Sequence, residues 1–134
     1  MRGGKKTNWE GGVRVAAFVS GGFLPAGARG QVRDEYIHCA DWYRTLCHLS
    51  GGVDCGDIVS SQKRGVPAVD GYDVWDYVTG ANATSPRDEI MVSRCEVPNQ
   101  HGLPLSKESP DCAGSYIRGD FKLVVGMQYY GFWQ

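Results

Sequence analysis

The feature that most constrains the fold is the apolar run at residues 13–19, which reads Val-Arg-Val-Ala-Ala-Phe-Val and follows a Gly-Gly turn. Apolar side chains lie on both alternating faces of this run, a pattern typical of a strand that is covered on both sides of a sheet. Such a strand also needs a neighbour on each edge. The sequence therefore predicts an α/β fold in which residues 13–19 form a buried strand.

A change of period predicts a helix at residues 34–49. Apolar side chains recur there at three-residue steps, with Asp34 as the N-cap and a Gly-Gly pair at residues 51–52 as the stop. Residues 52–68 are polar and lack a period, so we expect a surface loop.

The second half of the chain predicts shorter elements. Residues 71–80 fit a short helix closed by glycine, and residues 89–93 fit a strand. Residues 116–125 fit a hairpin, because Gly-Asp at residues 119–120 suits a tight two-residue turn. The aromatic tail at residues 127–134 ends where a further strand is expected. One helix and one hairpin supply too few partners for the buried strand, so we expect part of a larger domain.

Charge and hydropathy exclude two classes of partner. The net charge is -1, with 14 basic and 15 acidic residues, so no field favours nucleic acid or an anionic membrane. No stretch approaches the roughly 20 apolar residues of a membrane span. The basic first residues lack the apolar core of a signal peptide.

The chain has five cysteines, an odd number. None of them belongs to a Cys-x-x-Cys pair, so a zinc site is not expected. One or two disulfides would leave one thiol over, and buried free thiols are the open alternative. The cysteines are Cys39, Cys47, Cys55, Cys95 and Cys112.

Four motifs occur in an order that resembles the sulfatase family, with arylsulfatases of the B/I/J kind the most similar. Residues 2–12 contain Arg-Gly-x-Lys and Trp-Glu-Gly-Gly, and residues 41–45 contain Asp-Trp-Tyr-x-Thr. Residues 70–75 contain Asp-Gly-x-Asp-x-Trp, and residues 119–123 contain Gly-Asp-x-Lys-Leu. The order and rough spacing agree across nearly the whole chain, although Ala16 stands where the family often has proline.

The resemblance implies the C-terminal portion of an alkaline-phosphatase-like sulfatase domain in residues 1–84. It implies the start of a small antiparallel C-terminal subdomain in residues 85–134. Sulfatases hydrolyse sulfate esters with calcium and a formylglycine made in a Cys-x-Pro-x-Arg segment. That segment and the calcium-binding aspartates are missing from this sequence. The resemblance therefore implies a fragment of a sulfuric ester hydrolase that binds neither cofactor and is inactive alone. It also implies a lysosomal or extracellular protein of the secretory pathway.

Lys5 is the candidate catalytic and substrate-binding residue, because the matching lysine of the family contacts the sulfate group. A sulfate monoester carries one negative charge over three oxygens, and a compact ammonium with three donors suits it. Lys6 is expected to be a solvated charge.

Two neighbours of Lys5 are expected to have structural roles. Glu10 and Arg14 flank the Gly-Gly turn and could form an ion pair that fixes the start of the strand. Trp9 is expected to pack under this turn rather than on a substrate ring.

The sequence gives weaker evidence for a functional role of the other polar residues. His38, His48 and His101 lack a catalytic constellation and are expected to be structural. Arg-Gly-Asp at residues 118–120 is explained by the hairpin turn rather than by an adhesion receptor. Asn82 begins an Asn-Ala-Thr triplet, an acceptor for N-glycosylation in an exposed loop.

The alternative to a sulfatase fragment is a non-catalytic secreted interaction module. Disulfides would stabilise such a module, and its hairpin and aromatic tail would bind ligands. A product without a function of its own is a third interpretation.

Overall fold

A computed structural model of the chain describes residues 1–5, 7–93 and 114–126. The described helices and strands are, in chain order, α1 Glu10–Val13, α2 Asp41–Leu49, α3 Ile58–Arg64, α4 Trp75–Thr79, β1 Glu89–Ser93, β2 Gly114–Arg118 and β3 Phe121–Val125. Helices and a three-stranded antiparallel sheet make this a mixed α/β chain, as predicted. None of the helices in these ranges has the length and apolar character needed to cross a membrane.

The chain divides into two compact units, one formed by Met1–Phe18 and Glu89–Gln134 and the other by Val19–Asp88. The boundary predicted between residues 84 and 85 refers to the parent domain, and it stays a prediction. Predictions for residues 94–113 and for the aromatic tail fall outside the described residues, as do Lys6, His101, Cys95 and Cys112.

The sheet of the first unit has the order β1-β2-β3, and both pairs of neighbours are antiparallel. The predictions of β1 and of the hairpin are confirmed. Gly119 has a φ of 51°, a left-handed conformation that favours glycine, and it opens the tight turn between β2 and β3. Local turn chemistry and strand alternation were therefore sufficient to locate these elements.

The buried strand predicted at residues 13–19 is wrong. Val13 ends α1, a single helical turn, and residues 14–19 lie outside every described helix and strand. Val15 is 81% exposed and Phe18 is 91% exposed. A strand requires hydrogen bonds to a neighbour, and no strand in the described ranges pairs with this segment.

The main helix of the second unit, α2, begins at Asp41 rather than at Asp34. The His38 amide donates to Asp41 Oδ2 at 2.7 Å, and the Asp41 amide donates to the His38 carbonyl at 3.0 Å. These reciprocal bonds satisfy backbone groups where the helix starts. The predicted stop is confirmed, because Gly51 follows α2 with a φ of 83°.

The apolar stripe of α2 faces outward, contrary to the usual amphipathic pattern. Tyr43 and Leu46 are 52% and 59% exposed, whereas Asp41 and Thr45 are fully buried. The Thr45 hydroxyl oxygen accepts a bond of 3.0 Å from the Val74 amide. Polar side chains therefore connect α2 to the rest of its unit.

Asp41 is the centre of these polar contacts. Its two oxygens accept bonds from Arg87 Nε at 2.8 Å and Nη2 at 2.5 Å, and Oδ1 also accepts the Tyr72 amide at 2.9 Å. Burial raises the pKa of Asp41, but the bonds from Arg87, Tyr72 and His38 outweigh burial and lower that pKa below 3.8. The motifs at residues 41–45 and 70–75 therefore form one buried network.

The region predicted as a surface loop, residues 52–68, contains the helix α3. A disulfide between Cys47 and Cys55, with Cα atoms 5.5 Å apart, joins α2 to the segment before α3. Cys39 is an exposed free thiol, so the alternative of buried free thiols is wrong for these three cysteines. The predicted short helix is confirmed as α4, which ends at Gly80 with a φ of 81°.

Asp41→Asn is expected to lower the free energy of unfolding by about 3 to 5 kcal/mol, because it leaves the charge of Arg87 buried without its carboxylate. Because the folded-state pKa of Asp41 is lowered, its contribution to stability is full above the unfolded pKa. It is lost as pH falls through the folded pKa, below 3.8. Denaturant melts between pH 7 and pH 2.5 would measure both effects. Asp34→Asn, at an exposed position, is the matched control, and equal losses in the two variants would contradict the assignment.

Candidate functional site

Lys5 is exposed and lies in a turn of the first unit that begins at Gly4 and ends at Thr7. The turn is closed by the Thr7 amide, which donates to the Gly4 carbonyl at 3.1 Å, and by the Thr7 hydroxyl, which donates to the same oxygen at 2.8 Å. Because two donors of Thr7 hold one carbonyl, Gly4 and Thr7 are fixed relative to each other. The turn therefore presents the lysine side chain to solvent.

Residues 2–5 and 7–12 fold into a compact hydrogen-bonded arrangement that we call the glycine knot. The Gly11 amide donates to the Arg2 carbonyl at 2.9 Å, and the Gly12 amide donates to the Trp9 carbonyl at 2.8 Å. A β-carbon at Gly11 or Gly12 would overlap a backbone carbonyl oxygen across the knot. These two positions therefore require glycine.

Gly3 completes the knot and is buried. Its φ of 77° is a left-handed conformation, and a β-carbon there would lie 2.5 Å from Thr7 Oγ1 and 2.6 Å from Trp9 Cβ. The guanidinium carbon of Arg2 lies 3.9 Å from the centroid of the Trp9 ring. Trp9 therefore contacts Arg2 and Gly3, and its predicted packing under the Gly-Gly turn at residues 11–12 stays a prediction.

Two side-chain contacts tether the knot to the sheet. Lys122 Nζ of β3 lies 2.6 Å from Glu10 Oε1, and the Ser93 hydroxyl of β1 donates to Asn8 Oδ1 at 2.9 Å. The predicted ion pair of Glu10 with Arg14 is wrong, because Glu10 pairs with Lys122 and Arg14 is exposed.

The pairing of Lys122 was missed by the sequence analysis, although the sequence contains a signal for it. Along β3, Phe121 and Leu123 are 83% and 61% exposed, whereas the Lys122 side chain is only 17% exposed. A lysine that alternates with apolar residues occupies the opposite face of its strand. A lysine on the covered face needs an acidic partner.

The histidines have structural partners in the second unit. His48 Nδ1 contacts Asp73 Oδ2, and His38 Nδ1 accepts a bond of 3.2 Å from the Ala40 amide. These contacts join α2 to the segment before α4 and support the start of α2. They agree with the prediction of structural roles.

The two predicted site residues belong to different units. Lys5 belongs to the first unit, whereas Asn82 lies at an exposed bend after α4 in the second unit. Arg-Gly-Asp at residues 118–120 forms the exposed end of the hairpin, as predicted.

The calcium of the family that this chain resembles has no candidate site among the described residues. Among residues 1–5, 7–93 and 114–126, no group of three or more His, Cys, Asp or Glu side chains could hold a metal ion. We therefore assign no metal-dependent step to these residues. The glycine knot instead displays the ammonium group of Lys5 to solvent.

Comparison with models of protein families finds no match. Among characterised proteins, arylsulfatase J from Mus musculus is 37% identical over 91 residues. This similarity covers 68% of the present chain but only 13% of arylsulfatase J.

Gly11→Ala is expected to lower the free energy of unfolding of the first unit by at least about 2 kcal/mol, because its methyl group would overlap the backbone of the knot. Gly27→Ala is the matched control, since a β-carbon there meets nothing within 4 Å. Denaturant melts followed by amide hydrogen exchange at Thr7 would measure the difference. Equal stability of the two variants would rule out the close approach described for Gly11.

Proposed function

The chain belongs to the sulfatase family, and on that premise we propose that it forms the C-terminal part of a sulfatase in which Lys5 binds the sulfate group of a sulfate ester. The observation that carries this proposal is the glycine knot. The residues of the Arg-Gly-x-Lys and Trp-Glu-Gly-Gly motifs close on one another by backbone hydrogen bonds, and they display Lys5 at the turn between them.

The chemistry of sulfate ester hydrolysis suits an ammonium group at this position. Negative charge builds on the bridging oxygen as the S–O bond breaks, and a fixed donor is worth most where charge develops. Lys5 supplies three N–H donors and a full positive charge. Because the knot fixes the turn, little backbone reordering would accompany binding of the ester.

The remaining catalytic groups would come from other parts of a sulfatase. The formylglycine nucleophile and calcium ligands of the family have no counterpart in this sequence. The exposed apolar side chains of Val15 and Phe18 support the proposal that further chain covers residues 13–19 in the complete protein. In that arrangement, residues 1–84 would complete an alkaline-phosphatase-like domain, and residues 85–134 would begin the small antiparallel subdomain.

The proposed substrate is an aryl or sugar sulfate, handled in the secretory pathway. The disulfide between Cys47 and Cys55 supports this location, since disulfides persist in oxidising compartments.

The same disulfide favours the second candidate, a secreted interaction module without catalysis. The hairpin end at residues 118–120 would then be a binding surface. The two candidates differ at Lys5, which matters to a sulfatase and not to the module.

The 134-residue chain alone is expected to show no turnover of an aryl sulfate, because it supplies a sulfate contact but no nucleophile. A fluorogenic aryl sulfate assay on the purified chain would test this expectation. Turnover that persists after purification to homogeneity and is lost in Lys5→Ala would show that the chain is a complete catalyst.

A fusion protein would join residues 1–134 to the part of arylsulfatase J that precedes the region similar to this chain. We call this protein the sulfatase fusion, and we expect it to hydrolyse an aryl sulfate. Lys5→Ala should lower its kcat/KM about 100- to 1000-fold, the usual effect of removing one preorganised donor. Lys63→Ala, at an exposed lysine of α3, is the control and should leave the rate unchanged. Equal rates for the two variants would favour the interaction module.

Asn82 is proposed to carry an N-linked glycan, because Asn82 and Thr84 are both exposed. Protein secreted from a eukaryotic host should lose mass on treatment with an N-glycosidase. Thr84→Ala should abolish this loss, and Thr84→Ser should retain it because serine preserves the acceptor triplet. An unglycosylated wild-type chain from such a host would refute the assignment.

A further inference from the structure

The glycine knot is attached to the sheet at two points on either side of Trp9. Asn8 is held by Ser93 of β1, and Glu10 is held by Lys122 of β3. The Lys122 side chain is 17% exposed and the Glu10 side chain is 41% exposed, so solvent only partly screens their attraction. The ion pair is therefore the more strongly electrostatic of the two tethers.

A short series of contacts leads from Lys122 to Lys5. Lys122 holds the side chain of Glu10, and Gly11, the next residue, donates its amide to the Arg2 carbonyl at 2.9 Å. Arg2 begins the arm of the knot that leads into the turn carrying Lys5. Holding Glu10 in place therefore holds the adjacent Gly11 amide. The hydrogen bond of that amide in turn holds Arg2, where this arm of the knot begins.

We propose that Lys122 is a positioning residue for Lys5, acting through its ion pair with Glu10 to fix the glycine knot. This inference rests on the proposed function, because positioning matters only if Lys5 binds the sulfate ester. Lys122 touches no reacting atom in this scheme. Lys122 instead affects the position of the turn that carries Lys5. The Gly-Asp-x-Lys-Leu motif and the Arg-Gly-x-Lys motif thereby act together, although they are far apart in the sequence.

The first test measures positioning in the full 134-residue chain by native-state amide hydrogen exchange. Lys122→Met should speed exchange at Gly11 and Thr7 about three- to tenfold, the scale of a partly exposed ion pair, and leave Val74 of the second unit unchanged. Glu10→Gln should have the same effect. The reversed pair, Glu10→Lys with Lys122→Glu, should return both rates to within about twofold of wild type.

Two outcomes of the exchange experiment would overturn the proposal. One is unchanged exchange at Gly11 and Thr7 in both single variants. The other is an equal increase at Gly11, Thr7 and Val74, which would indicate general destabilisation. Lys63→Met, which removes an exposed lysine of α3, controls for the loss of one positive charge.

The second test measures the consequence for Lys5 in the sulfatase fusion. Lys122→Met should lower kcat about tenfold, the effect expected when a catalytic group is slightly misplaced, and the reversed pair should restore it. Unchanged kcat in Lys122→Met, alongside a large loss in Lys5→Ala, would overturn the positioning role alone. Unchanged kcat/KM in Lys5→Ala would overturn the proposed function, and the exchange rates would still decide whether Lys122 fixes the knot.

Discussion

The candidate site depends on the close approach of two backbone segments that only glycine permits. Gly11 and Gly12 lie against carbonyl groups from the opposite side of the knot, and Gly3 adopts a left-handed conformation beside Thr7. The absence of three β-carbons lets the amide of residue 11 reach the carbonyl of residue 2. Without that hydrogen bond, the segments at Arg2 and Gly11 would no longer hold each other in place, and the position of the turn bearing Lys5 would be less restricted.

The sulfatase motifs serve mainly as structural connections in this chain. Asp41 and Thr45 accept hydrogen bonds from the Tyr72 and Val74 amides, so two motifs nearly 30 residues apart in the chain build one buried network. Lys122 connects the hairpin motif to the knot in the same way. The residue types of these motifs therefore serve folding, and Lys5 is the residue that we propose binds the ester.

Local features of the fold could be predicted from the sequence, whereas features that depend on distant partners could not. The hairpin and the end of α4 follow from Gly119 and Gly80, whose conformations are decided by residues beside them. The strand predicted at residues 13–19 depends on neighbours that the described chain lacks. Glu10 pairs with Lys122, which lies 112 residues away in the chain, whereas the sequence pattern favoured the nearby Arg14.

The apolar stripe of α2 predicted a helix, but it did not predict which face of that helix is buried. Helical periodicity locates a face but does not say what that face contacts. In this chain the buried face is the polar one, because the carboxylate of Asp41 is satisfied by Arg87. The family motif predicted the Lys5 turn. The contacts that hold the knot could not be predicted, because they join residues far apart in the chain.

The disulfide and the free thiol of the second unit have a consequence for the chemistry of the chain in solution. Cys39 is exposed, and a thiolate can attack a disulfide through a mixed intermediate. Such exchange produces scrambled cross-links and covalent dimers. An apparent oligomer that disappears on adding reductant would then report sulfur exchange rather than association of folded chains.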